Sequence, residues 1–132
     1  GNFAAHDSNA STFASGLSAF SDLVMDANNL YWVDLIDGAA VVRKEPLAGG
    51  TVASVGVALG SYTEFGANTE PIGIAVDDTD AYVNLGPVIK VNLATGAATT
   101  FSASSVQQPG AIAVNATDVY WFTDYQLAVH AK

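Results

Sequence analysis

Few side chains in this sequence could do chemistry. Two histidines, His6 and His130, are available to a metal or to a nucleophilic site. Zinc needs further ligands beside an imidazole, and a catalytic triad needs the ring between a hydroxyl and a carboxylate. Asp7 adjoins His6 within a polar N-terminal stretch, and His130 lies in a terminal apolar run, so neither sits in such a setting. There is no G-x-S-x-G elbow, no Walker loop and no dinucleotide fingerprint. The absence of cysteine removes disulfides, thiolate metal sites and thiol nucleophiles together. Asp77, Asp78 and Asp80 are the candidate metal ligands, because clustered oxygens suit calcium. No EF-hand loop surrounds them, and an Asx turn accounts for the same residues. Asn9-Ala10-Ser11 and Asn115-Ala116-Thr117 are glycosylation sequons. Asn115 is explained by turn chemistry, which leaves Asn9 as the candidate acceptor. The pairs Tyr31-Trp32 and Tyr120-Trp121 could stack on a ligand. Their apolar neighbours favour core packing.

The elements that carry these residues are repeated. Residues 23–34 (LVMDANNLYWVD), 74–84 (IAVDDTDAYVN) and 112–124 (IAVNATDVYWFTD) are three copies of one segment. Each has Asp or Asn five residues before a tyrosine: Asp26 and Tyr31, Asp77 and Tyr82, Asn115 and Tyr120. Tyr31 to Tyr82 is 51 residues and Tyr82 to Tyr120 is 38, a mean of about 45 that falls within the range of propeller blades. Each copy reads as a hairpin: a short apolar strand, a polar Asx turn, and a second strand bearing the tyrosine. The second strand is apolar on successive positions, as expected where both faces are buried between stacked sheets.

Two further strands follow each hairpin. Residues 39–47 form the expected third strand of the first copy, with Pro46 near its end, and 51–57 the fourth. In the second copy these are 88–93 and 97–101, and an insertion around 59–70 lengthens the spacing before it. The third copy stops after a third strand at 126–131. Residues 11–16 (STFASG) resemble the second copy's fourth strand, 99–104 (TTFSAS). The piece missing at one end is therefore present at the other. The chain divides into a tail (1–10), a strand to be donated (11–17), and blades at 20–58, 71–104 and 109–132, the last incomplete. No segment carries a capped helical period.

Tyr31-Trp32-Val33-Asp34 and Tyr120-Trp121-Phe122-Thr123-Asp124, each behind an apolar strand ending in Asp or Asn, resemble the YWTD repeats of low-density-lipoprotein-receptor-type β-propellers. Pro46-Leu47-Ala48-Gly49-Gly50-Thr51 is similar to the PL-x-GG blades of propeller-rich bacterial exported proteins. The second copy departs from the motif at Tyr82-Val83-Asn84. The resemblance implies an all-β propeller, of which about three four-stranded blades per chain make half a six-bladed ring. It also implies an extracellular binding scaffold without a transferable set of catalytic residues.

Composition narrows the partners. A net charge of −9, from 4 basic and 13 acidic residues, opposes nucleic acid and anionic lipid. No apolar run approaches the roughly 20 residues that span a bilayer. A chain beginning at Gly1 suggests a processed, exported protein. Three blades leave strand edges open, so the expected partner is a second copy, in a homodimer or a head-to-tail polymer. Residues 11–16 should pair beside 126–131 of that copy, with Thr12, Phe13 and Ala14 meeting Leu127 and Val129. The expected function is a non-catalytic extracellular or cell-surface scaffold without a cofactor, with a protein or glycan as a further ligand. The alternatives are half of a calcium-dependent hydrolase or lactonase, or a carbohydrate-binding propeller. The first needs polar residues toward a central channel, where the inner strands offer mostly Ala, Val and Ile.

Overall fold

Strands that are apolar on both faces call for a layer on each side, and the described residues fold as a stack of three sheets in which the middle sheet has a neighbour on both faces. The computed structural model describes residues 10–18, 21–59, 72–103, 110–123 and 126–132. Among these there is no helix. Sheet 1 has the order β1 (Val24–Met25), β2 (Asn29–Ile36), β3 (Ala39–Pro46), β4 (Ala53–Ser54). Sheet 2 is β5 (Gly73–Val76), β6 (Asp80–Asn84), β7 (Val88–Asn92), β8 (Ala98–Ser102). Sheet 3 is β9 (Ile112–Val114), β10 (Asp118–Phe122), β11 (Leu127–Ala131). Every pairing within a sheet is antiparallel.

Two apolar cores join the sheets. The first sets Tyr31, Val33, Ala40, Val42 and Val55 of the sheet 1 region against Ile74, Ala81, Val83, Leu85 and Val91 of the sheet 2 region. The second sets Ala75, Tyr82 and Val88 against Ile112, Val119 and Trp121 of sheet 3. Alternation along a strand explains why β6 is buried throughout: Ala81 and Val83 serve one core and Tyr82 the other. The leading edges of sheets 1 and 2 lie side by side, with a parallel bridge from Ser21 to Ile72.

Close approach of the sheets depends on glycine. A Cβ on Gly73 would strike the Gly110 carbonyl, and one on Gly56 would strike that of Gly96. Gly56, at φ +77°, also ends the fourth strand of the first copy early, so that β4 has two residues where 51–57 was expected. The chain still follows sheet 1 beyond it, with Val55 N–H donating to Val42 O and Leu59 N–H to Ala40 O, both at 2.8 Å.

Four of the five repeat aromatics are buried as expected: Tyr31, Trp32, Tyr82 and Trp121. Tyr120 is half-buried, because among the described residues no further sheet lies on its side of sheet 3. Residues 10–18 form no strand, and within one chain they do not pair with β11, so sheet 3 has three strands among the described residues. They are tied to sheet 1 instead: Ser18 N–H donates to Asp34 Oδ1 at 2.7 Å, and Leu35 N–H donates to Ser18 O at 3.1 Å. The insertion expected around 59–70 lies outside the described residues apart from Leu59.

Candidate functional site

The polar residues of the repeats are gathered at the turns. In each copy the Oδ1 atom of the leading Asp or Asn accepts two backbone N–H groups. Asp26 takes those of Asn28 and Asn29, both at 2.8 Å. Asp77 takes those of Thr79 and Asp80 at 2.9 and 2.7 Å, and Asn115 those of Thr117 and Asp118 at 2.9 and 2.8 Å. The five-residue spacing to tyrosine has its reason in the first copy, where the Tyr31 hydroxyl donates to Asp26 Oδ2 at 2.8 Å. Burial alone would raise the Asp26 carboxyl, but the N–H groups of Asn28 and Asn29 and the Tyr31 hydroxyl outweigh it and hold it below its ordinary value. Burial and then the Asp26 hydrogen bond push the Tyr31 hydroxyl up. Tyr82 is pushed up to about 12 by burial and then by the charges of Asp77 and Asp80.

The candidate metal ligands diverge. Asp77 spends Oδ1 on its turn and places Oδ2 at 2.7 Å from Lys132 Nζ. Asp80 Oδ2 accepts from the Thr79 hydroxyl at 2.8 Å and stands 3.8 Å from Lys90 Nζ. Asp78 is exposed at the turn. Two carboxylates thus face the chain's own ammonium groups. Burial would raise the Asp77 carboxyl, but Lys132 and the turn N–H groups hold it below its ordinary value. Among the described residues no three His, Cys, Asp or Glu side chains stand where they could hold one metal ion. An open cleft of about 470 Å³ lies between the Asp77 and Asn115 turns, and Lys132 lines it.

Of the other candidates, Asn9, His6 and Asp7 lie outside the described residues. His130 is exposed, and its ring meets Phe101 edge-on at 5.0 Å, a packing role. Phe101 in turn meets Tyr82 at 5.3 Å and Trp121 at 6.3 Å across the second core. The assembly candidates fall into two places. Phe13 and Ala14, with Leu17, Leu23, Leu30 and Trp32, line an apolar groove of about 360 Å³ on the outer side of sheet 1, and Thr12 is exposed beside them. Leu127 and Val129 stand on β11 at the opposite end of the stack, 62% and 57% exposed.

Sequence reasoning passed over two residues. Asn84, where the second copy leaves the motif, is fully buried and bridges sheets: its Nδ2 donates to Gly110 O at 3.2 Å and Phe122 O at 3.3 Å. By spacing from the repeat tyrosine Asn84 stands where the first copy has Val33, and Asp34, one residue further on, accepts the Ser18 N–H. A carboxylate serves where an N–H must be met, and an amide where carbonyls must be met. The second is Lys132, whose pairing with Asp77 depends on tertiary placement alone.

No family model matches the chain, and no curated protein matches it. Among solved structures, a chain in the crystal structure of a nidogen/laminin complex is similar over 84% of this chain and 41% of its own length, with a TM-score of 0.63 and 18% identity. This chain thus spans about two fifths of that one. The computationally designed Ika4 protein aligns over 92% of this chain and 95% of its own, with a TM-score of 0.48 and 13% identity. The likeness to the first bears on fold alone: with three stacked antiparallel sheets of three and four strands, this chain is all-β and β-propeller-like.

Proposed function

We propose that this chain is a non-catalytic, extracellular β-propeller scaffold module that assembles with copies of itself by donating its N-terminal strand. The observation that carries the reading is the unequal strand count. Among the described residues sheets 1 and 2 have four strands, while sheet 3 has three and no strand beside β11 at its outer edge. An unpaired row of backbone N–H and C=O groups is a template for another strand. Residues 11–16 match the pattern of the second copy's fourth strand and are not used as a strand within their own chain. Phe13, 48% exposed, supplies an apolar anchor. Donation from chain to chain is head-to-tail, so it closes into a ring where the rotation permits and otherwise extends into a filament.

Solution mass tests the reading. The intact chain is expected as a dimer or larger, and a chain lacking residues 1–17 as a monomer. An intact chain that stays monomeric, or a truncated chain that keeps the full assembly, rules out strand donation.

A further inference from the structure

The two ends of the sheet stack are opposite halves of one repeated contact. Tyr31 and Tyr82, at equivalent positions, are 3% and 1% exposed, each packed against the sheet that follows. Tyr120 is their equivalent in sheet 3, and nothing follows it among the described residues. Register extends its face across the sheet: Ala113 and Val129 lie opposite Tyr120, and Leu127 lies opposite Phe122. Phe122, Leu127 and Val129 are all more than half exposed.

The other end has the converse deficit. Val83 and Trp121 pack against the sheet that precedes them. Trp32 is their equivalent in sheet 1 and faces the apolar groove, beside Leu23 at 64% exposed and Met25 at 60%. Among the described residues the chain therefore joins a forward face to a backward face twice, and one of each is left over at the ends.

We propose that the outward face of sheet 3 docks on the outward face of sheet 1 of a second copy, head to tail. This rests on the self-assembly reading above and names the surface it uses. The occupant is a second copy because each end face repeats one side of contacts the chain already makes: Tyr120 takes the place of Tyr82, and Leu23, Leu30 and Trp32 those of Ile112, Val119 and Trp121. Burial of exposed apolar area drives the association. Phe13 and Leu17, which line the groove in the single chain, give way to the incoming sheet.

The cysteine-free sequence permits a direct test. Ala113 takes the place of Ala75 and Leu23 that of Ile112, two residues of one core. Both positions are exposed in the single chain, so Ala113→Cys and Leu23→Cys put one thiol on each of the two end faces. With a short bifunctional thiol crosslinker, the covalent dimer is expected in a mixture of the two variants and in neither alone. Dimers from either variant alone, or none from the mixture while both thiols react in denaturant, overturn the proposal. Repeating the mixture without residues 1–17 separates the two readings. Crosslinking that survives the deletion supports face docking and removes strand donation as its cause. A full-length assembly that does not crosslink keeps donation and overturns face docking.

Discussion

The Asp26 carboxylate closes a turn with one oxygen and clamps the strand that follows with the other, through Tyr31. Asp26→Ala is expected to cost about 2 kcal/mol, since two backbone N–H groups and a hydroxyl lose their acceptor in a partly solvated site. Asn84→Ala should cost more, about 3 kcal/mol, because two carbonyls and the Gly86 N–H lose their partner at a dry sheet boundary. Denaturant unfolding of both variants checks the order. The same turns set the response to pH. Asp26 and Asp77 are held below the free value of 3.8, so their contribution is complete well above pH 4 and is lost as pH falls through their folded values. Tyr31 and Tyr82 are raised above 10.0, so theirs is complete below pH 10 and is lost as pH rises toward the folded value, about 12 for Tyr82. The unfolding midpoint should therefore fall on both flanks, and Tyr82→Phe should flatten the alkaline one.

At the scale of elements, the spacing between sheets is set where backbone meets backbone. Gly73 begins β5 and abuts the Gly110 carbonyl that leads into β9, a contact between main chains that no rotamer can relieve. Gly73→Ala is expected to destabilise by about 3 kcal/mol, the upper range for overpacking. Gly38, in the β2–β3 turn at φ +79°, has open space around it, so Gly38→Ala should cost only the left-handed strain of about 1 kcal/mol. Comparing their denaturant midpoints separates steric from conformational cost. Similar losses would show that the sheets can shift apart freely. The strand lengths follow the same logic. β2 and β3 run eight residues each because their turn is tight and their inner face is filled, while β4 ends at the Gly56 bend.

For the whole molecule, charge and exposed apolar area point to different partners. At −9, the chain should show no salt-sensitive affinity for duplex DNA or anionic vesicles. Micromolar binding to either at physiological salt would reveal a local basic site among only 4 basic residues. The exposed Phe122, Leu127, Val129, Leu23 and Met25 instead lie at the two ends of the stack, the surfaces the proposed self-association uses.

The repeats carried most of the architecture at the level of sequence. Asp or Asn five residues before tyrosine specified three hairpins, because an Asx turn is a local structure whose hydrogen bonds close within four residues. Continuous apolar runs at β2 and β10 called for burial on both faces, which β2 shows from Tyr31 to Asp34, whereas β10 leaves Tyr120 half-buried and Phe122 more than half exposed on one face. The sequence could not say which aromatic faced which neighbour. Tyr31 and Tyr120 read alike, yet one is buried and the other half-buried, since burial depends on whether a further sheet follows. Nor could it place Lys132 on Asp77 or Asn84 on the Gly110 and Phe122 carbonyls. Those contacts join residues 55, 26 and 38 positions apart, and only the stacking of one sheet on the next brings them within reach.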